Sequence, residues 1–453
     1  MMVNAIADLG NGLVLRRATP ADADALVAFT ADVLRNQDAA EPDERIAAWT
    51  RDLVAGRHPT FSVGDFTVVE DVRSGAIVSS LCLISQTWSF GGVSCRVGQP
   101  ELVGTHPDHR GRGLVRRQFE VIHNWSAARG EHFQVIDGVP WFYRQFGYEM
   151  ALELRGGASI DVAHLPPPPV VAEVYRVRPA AEEDLGFITR VAEAAAQRCL
   201  VTCVRDETVW RYELCGHRAQ SMYRPELCVV ETRDGKPVGF LGHLPRLVAS
   251  TLWVLTFEGV TESLRVAAAP SVLHYLRTAG DGLAGGDGGE HCEQLGFWLG
   301  TDHPLYPALS DAHVVAPYAW YVRVPDLPGF LRHVAPLLEQ RLMASMCAGY
   351  TGELRLSFYR DGLGLVFNRG RLTAVTQWTQ PRHLLGVERG EITSAPRADV
   401  SFPGLTFVQL LFGYRSLEEL EYAFPDCLVR SDAARRVVNV LFPKRPSDVW
   451  AVL

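Results

Sequence analysis

No stretch of the 453-residue chain stays apolar for the ~20 residues that a bilayer-spanning helix needs, so no membrane span is expected. The opening segment, Met1 to Asp8, has no basic run followed by an apolar core, and no signal peptide is read there. The nine cysteines include no Cys-x-x-Cys pair, and their odd number argues against a complete disulfide framework. Cys199 and Cys203 are spaced as metal ligands can be, but no second Cys/His pair follows at finger-like distance. Reduced, mostly buried thiols and no metal are the expectation, in a cytoplasmic protein. Basic charge is not in excess either. A net charge of −8 gives no general attraction to nucleic acid or to an anionic membrane surface. Two phosphate-binding signatures are also missing: the P-loop pattern Gly-x-x-x-x-Gly-Lys-Ser/Thr, and Gly-x-Gly-x-x-Gly after a first strand.

What is present is a different phosphate recipe. The segment Glu101-Leu-Val-Gly-Thr105 reads as the end of a strand, His106 to His109 as a turn, and Arg110-Gly-Arg-Gly113 as the lead into a helix. Val115, Phe119, Ile122 and Ser126 recur on one face of that helix, at spacings of three and four. The first turn of a helix points unpartnered N–H groups outward, and the helix dipole favours an anion there. Gly111 and Gly113 let the backbone approach a ligand closely. Arg110, Arg112, Arg116 and Arg117 add multi-donor cations suited to phosphate oxygens. The segment is read as a pyrophosphate cradle; the plain alternative is a solvated basic helix start.

About three domains fit the length. Residues 1–163 alternate strands and helices around the cradle. Leu165-Pro-Pro-Pro-Pro169 is a stiff spacer. Beyond it the opening pattern recurs, Val174-Tyr-Arg-Val-Arg-Pro179 echoing Val14-Leu-Arg-Arg-Ala-Thr-Pro20, and a second unit is expected over 170–318. Its counterpart of the cradle, Val260-Thr-Glu-Ser-Leu-Arg-Val266, has no Arg-Gly-x-Gly, and Gly280 to Gly289 is expected to be a loop. A separate α+β unit is expected over 319–453. The fold class is α/β (α+β).

The cradle, together with Tyr143-Arg-Gln-Phe-Gly147-Tyr148, resembles the GCN5-related N-acetyltransferase (GNAT) family, whose acetyl-CoA motif runs Arg/Gln-x-x-Gly-x-Gly/Ala. Val115 stands where the family has a small residue. The arrangement along nearly the whole chain is similar to the Eis type (enhanced intracellular survival): an active GNAT domain, a degenerate second one and a sterol-carrier-protein-like C-terminal domain. The resemblance implies acetyl-CoA as co-substrate, an amine-bearing small molecule or peptide as acceptor, and a hexamer. It implies backbone hydrogen bonds from Val103 and Thr105 to the pantetheine arm. It also places the pyrophosphate on Arg110, Gly111, Arg112, Gly113, Leu114, Val115 and Arg116. Tyr143 would protonate the departing thiolate, and the terminal carboxylate of Leu453 would act as base.

The chemistry leaves alternatives beside these roles. An acceptor amine must lose a proton before it attacks, so a base or a water relay is needed. Glu101 is the local candidate, and a carboxylate that pairs with an arginine or faces solvent is its other reading. Tyr143 is a proton donor or a packing aromatic. His106 and His109 read as loop or phosphate-side residues. Trp88, Trp125 and Trp141 are candidates to line an acceptor pocket, with core packing as the default. The function expected is N-acetyl transfer without a covalent enzyme intermediate; the alternative is a non-catalytic acyl-CoA or lipid-binding protein.

Overall fold

The computed structural model describes residues 5–36, 38–165, 174–284, 291–309, 311–379 and 398–453. Most of the proline spacer and residues 285–289 of the expected glycine loop lie outside them.

The first sheet grows from the N-terminus by short antiparallel turns. Its strands β1 (Ala5–Gly10), β2 (Leu13–Arg17), β3 (Phe66–Asp71), β4 (Ala76–Phe90) and β5 (Val93–Thr105) pair in sequence order. Helices α1 (Ala23–Val33) and α2 (Glu44–Val54) fill the β2–β3 connection, and Asp43 caps α2 by accepting the N–H groups of Arg45 and Ile46. After β5 the chain makes α3 (Leu114–Ala128) and returns as β6 (Phe133–Ile136), parallel to β5. Phe119, Ile122 and Ser126 of α3 are buried, as their spacing predicts, and Val115 is half-buried. Gln118 adds a buried polar anchor: its amide takes the Ser79 hydroxyl at 2.7 Å and donates to Thr67 O at 3.2 Å.

A second sheet repeats this pattern. In chain order its strands are β8 (Gly157–Asp161), β9 (Tyr175–Pro179), β11 (Glu226–Thr232), β12 (Pro237–Val248), β13 (Thr251–Gly259), β14 (Gln294–Phe297) and β15 (His313–Val315). The order β9-β11-β12-β13-β14 matches β2-β3-β4-β5-β6, each with one parallel pair at its end. The likeness reaches side chains. Arg16 binds Asp22 and Glu70, and Arg178 binds Asp184 and Glu231, at equivalent places in the two units. Helix α4 (Leu185–Ala196) follows β9 as α1 follows β2. Then come β10 (Val201–Cys203), which pairs with the end of β4, and the short α5 (Glu207–Arg211). Helix α6 (Glu262–Leu283) runs through Gly280, so the expected loop begins later than its glycine content suggests.

The two sheets exchange a strand. β7 (Glu149–Leu154) closes the first sheet, yet β8, which starts at Gly157, pairs with β14 and β15 in the second. Reciprocally, β16 (Tyr318–Arg323) leaves the second unit and inserts between β6 and β7. Residues 157–161 therefore sit across the boundary expected at 163, and residues 319–323 across the one expected at 319. The cause is local. Arg155, Gly156 and Gly157 all take positive φ, turning the chain from one sheet to the other. A Cβ on Gly156 would stand 2.8 Å from Pro317 Cα, where the returning connection crosses.

The remaining chain forms a third sheet. It contains β17 (Gly352–Ser357), β18 (Asp361–Asn368), β19 (Arg371–Thr379), β20 (Val400–Ser401) and β21 (Leu428–Val429). Around it lie α7 (Leu327–His333), α8 (Ala335–Met343), α9 (Thr406–Leu411), α10 (Leu417–Ala423) and α11 (Asp432–Leu441). Aromatic edges join it to the first sheet: Phe90 meets Phe330 at 5.2 Å and Phe412 at 5.3 Å, and Phe133 meets Phe412 at 5.1 Å. The last residues, 447–453, leave this unit and run back to the first sheet, where Asp448 bridges Thr202 of β10.

Candidate active site

The parallel pairing of β5 with β6 covers only Val97 and Gly98. Beyond it β5 keeps β4 on one side, up to the Ser79–Thr105 pair, but has no strand on the other. Leu102 takes φ +52 at a register shift against β4, so the strand kinks where it opens. Backbone groups of the Glu101–Thr105 segment thus face an unzipped edge, with Val103 and Thr105 half-exposed.

Helix α3 begins beside that edge. Its N-cap, Gly113, has φ +74 and no capping side chain, so no described residue occupies the outward N–H groups of Leu114, Val115 and Arg116. A Cβ at Gly111 or Gly113 would meet nothing within 4 Å, which marks open space before the helix. The arginines frame it: Arg110 donates to Thr105 O at 3.2 Å, Arg112 to Asp108 O at 3.2 Å, and Arg116 to Gln145 Oε1 at 2.6 Å. The equivalent helix of the second unit, α6, is built otherwise. Thr261 caps it by accepting the N–H of Leu264, and Glu262 puts a negative charge in its first turn. An anion would be repelled there.

Tyr143 lies on a one-turn segment, Phe142–Phe146, that ends at Gly147 with φ +85. Its ring is buried between Phe119 and Tyr321, and its hydroxyl has no hydrogen-bond partner among the described residues. Burial, with the carboxyls of Glu101 and Asp137 nearby, raises the phenol well above its ordinary value. It keeps its proton at neutral pH. Glu101 is buried on β5 and accepts from Gln99 Nε2 at 2.6 Å. Its carboxyl is held well above the usual range, first by burial and then by Asp137, which is itself raised by burial.

The end of the chain completes the arrangement. Leu453 is buried, accepts from the Tyr212 hydroxyl at 3.2 Å and lines a cavity of ≈ 250 Å³ together with Asp137, Tyr223, Trp298, Trp320 and Asp448. Arg205, buried and paired with Glu213, donates to the carbonyls of Trp450 and Ala451. Burial and the carboxylate of Glu258 push the Asp448 carboxyl up to about 6. Asp137 borders this cavity and also stands beside Glu101 and Tyr143, so it links the cavity to the opened edge of β5.

The tryptophans distribute differently from the expected pocket. Trp88 is fully buried and Trp141 is largely exposed, while Trp125 is stacked under Arg17 at 3.8 Å. Trp298 and Trp320 line the cavity instead. His106 and His109 sit in the turn before the cradle, with ring centres 6.1 Å apart. Among the described residues one group of potential metal ligands converges, Cys95, His132 and His333, with ligand atoms within 4.8 Å of one another. Backbone bonds already engage both imidazoles: His132 Nδ1 accepts from Arg96 N, and His333 Nε2 contacts Ser94 O. Accepting at Nδ1 leaves a neutral His132 protonated at Nε2, the wrong tautomer for a ligand there. The cysteines are free thiols. Asp137, Tyr212 and Arg205 escaped the sequence reading. Asp137 had a signal, an acid at the end of an apolar strand and just before a glycine; the other two had none.

A family model described as an acetyltransferase (GNAT) domain matches residues 14–151, a span that holds the cradle, Glu101 and Tyr143. No curated protein sequence matches the chain. Among solved structures, a probable N-acyltransferase of unknown function from Enterococcus faecalis V583 shares the fold over 97% of this chain and 100% of its own, with TM-score 0.66 and 15% identity. Eis1 from Mycobacterium abscessus covers 97% of this chain and 99% of its own, with TM-score 0.59 and 16% identity. Saccharomyces cerevisiae N-myristoyltransferase with bound myristoyl-CoA covers 70% of this chain and 84% of its own, with TM-score 0.52 and 10% identity. At these identities the likeness is one of fold.

Proposed function

We propose that this protein is an acetyl-CoA-dependent N-acetyltransferase that moves the acetyl group directly to an amine of a small molecule or peptide. The observation that carries the reading is the unzipped edge of β5, which opens between the uncapped start of α3 and the hydroxyl of Tyr143, unpartnered among the described residues.

The chain's own groups divide the work. The segment Arg110 to Arg116, which leads into the first turn of α3, holds the pyrophosphate on outward N–H groups and arginine side chains. Backbone groups of Val103 and Thr105 align the pantetheine arm as an added strand would. The acceptor enters the cavity that Leu453 lines, and the terminal carboxylate takes the proton of its ammonium. The freed nitrogen attacks the thioester carbon, whose oxygen becomes negative and is met by N–H donors of the opened strand. As the C–S bond breaks, Tyr143 gives its proton to the leaving sulfur, and its phenolate is reprotonated through water by the second proton of the attacking nitrogen, leaving a neutral amide and a free thiol. A phenol held protonated by burial suits that step. Glu101 is a poorer base, because burial and Asp137 favour its neutral form.

The second unit acts as a degenerate GNAT domain, since its helix start carries Thr261 and Glu262 where an anion would bind. The third unit serves as a sterol-carrier-protein-like domain that helps shape a cytoplasmic homohexamer. A second reading, a non-catalytic acyl-CoA or lipid binder, is favoured by one feature: a concave surface on the third unit lined by Leu327, Phe358, Leu405 and Phe407. Release of free CoA thiol from acetyl-CoA, measured with polyamines, aminoglycosides and lysine peptides, decides between them. Amine-dependent release supports the enzyme; binding of acetyl-CoA without release from any amine supports the binder.

A further inference from the structure

Two glutamines connect the end of the chain to Glu101. Gln86 on β4 and Gln99 on β5 are diagonal neighbours, since Gln86 pairs with Val97 and Ile84 with Gln99. Both are buried. Val452 N donates to Gln86 Oε1 at 3.2 Å, and Trp88 Nε1 donates to the same oxygen at 3.0 Å. Gln86 Nε2 then donates to Gln99 Oε1 at 2.5 Å, and Gln99 Nε2 to Glu101 Oε1 at 2.6 Å.

The direction of this chain is set by chemistry. An indole and a backbone amide can only donate, so the oxygen of Gln86 must face Trp88 and Val452. Its nitrogen must then face Gln99, whose oxygen accepts and whose nitrogen is left to donate. Glu101 is the acceptor that ends the series. Reversing either amide would put donor against donor or acceptor against acceptor in a buried place.

We propose that Gln86 and Gln99 are positioning residues that tie the terminal dipeptide to Glu101, so that the Leu453 carboxylate is held at the acceptor cavity and Glu101 serves as an anchor. The inference rests on the acetyltransferase reading for its effect on rate, but not for its effect on the tail. Val452 is one residue from the carboxylate, so fixing its N–H fixes the direction in which the carboxylate leaves the backbone. Tyr212 holds the oxygen end at 3.2 Å. Burial favours a neutral Glu101, and the neutral carboxyl still accepts from Gln99.

The test uses the full chain and two readouts. Hydrogen–deuterium exchange of the C-terminal peptide reports tail docking. Gln86→Leu, which leaves Val452 and Trp88 without an acceptor, exchanges at least about tenfold faster there than wild type. Gln86→Glu keeps that oxygen and restores most of the protection. Steady-state thiol release reports the consequence: Gln86→Leu and Glu101→Leu each lower kcat by about tenfold or more, with the KM for acetyl-CoA within about twofold. Glu101→Gln keeps an oxygen for Gln99 and stays within about threefold of wild type. Two results overturn the proposal: unaltered exchange at the C-terminal peptide of Gln86→Leu, or a Glu101→Gln variant as slow as Glu101→Leu, which would make Glu101 the base. If wild type releases no thiol with any amine, the acetyltransferase reading falls by itself and the exchange experiment still decides the anchoring.

Discussion

Tyr143→Phe separates chemistry from folding, because no described residue hydrogen-bonds the hydroxyl. The ring packs against Phe119, Tyr148 and Tyr321 at centre distances of 6.1, 6.4 and 5.7 Å, and phenylalanine keeps all three contacts. No hydrogen bond from the hydroxyl is lost among the described residues, so no buried partner is left orphaned, and the stability change should stay within ~0.5 kcal/mol. A positioned proton donor is worth about 10²–10⁴-fold in rate. At ~1.4 kcal/mol per factor of ten, that is about 3–5 kcal/mol of barrier, far more than the expected loss of stability. The assay is steady-state release of CoA thiol, with acetyl-CoA affinity measured separately by calorimetry and the unfolding midpoint by denaturant titration. The expected result is a fall of kcat by at least about a hundredfold, with affinity and midpoint unchanged. A variant that turns over within about threefold of wild type would refute the proton-donor role and leave Tyr143 a packing residue.

Four further outcomes follow from the same geometry. Two glycines added after Leu453 move the carboxylate away from Tyr212 and the cavity, and thiol release should drop at least about a hundredfold; normal turnover by the extended chain would remove the terminal carboxylate as base. Gly113→Glu forces a side chain into φ +74 at a cost of about 1–2 kcal/mol and sets a negative charge at the cradle, so acetyl-CoA affinity should fall at least about tenfold by calorimetry, and tight binding would sink the cradle. Arg205→Met removes one partner of a buried ion pair and the donor to two tail carbonyls; unfolding stability should fall by about 3–5 kcal/mol, and an unchanged midpoint in urea would show the pair to be expendable. Asp448 has a folded pKa of about 6, above its ordinary value, so its protonated form stabilises the fold and that contribution fades as pH rises from about 4 to 6. Asp448→Asn should therefore gain stability over wild type at pH 7.5 and lose that advantage near pH 4, a difference that paired urea titrations would reveal.

Some of this was legible because its causes are local. The cradle is a run of neighbouring residues, in which strand, turn and helix start follow from hydrophobic period and glycine placement. The opposite character of the second helix start, Thr261 and Glu262 in place of Gly113 and Leu114, was equally visible. So was the mixed α/β class, and so was the internal repeat, whereas the matching ion pairs of Arg16 and Arg178 emerged only from the structure.

Partner choice was not local. The pattern of Tyr318–Arg323 marks a buried strand, but nothing in it says that the strand joins the first sheet, between β6 and β7. That follows from how the Gly156 and Pro317 connections cross, which depends on residues far apart in sequence. Gln86 and Gln99 carry no mark in the sequence, because their meaning depends on Val452, 366 residues away from Gln86. The sequence alone determined that a glycine-led helix start without a capping side chain follows β5, because helix termini and glycine conformation are short-range properties. Only the tertiary structure decided that Leu453 lines the same cavity as Asp137, because burying residues 447–453 against β4 and Arg205 brings together side chains from distant parts of the chain.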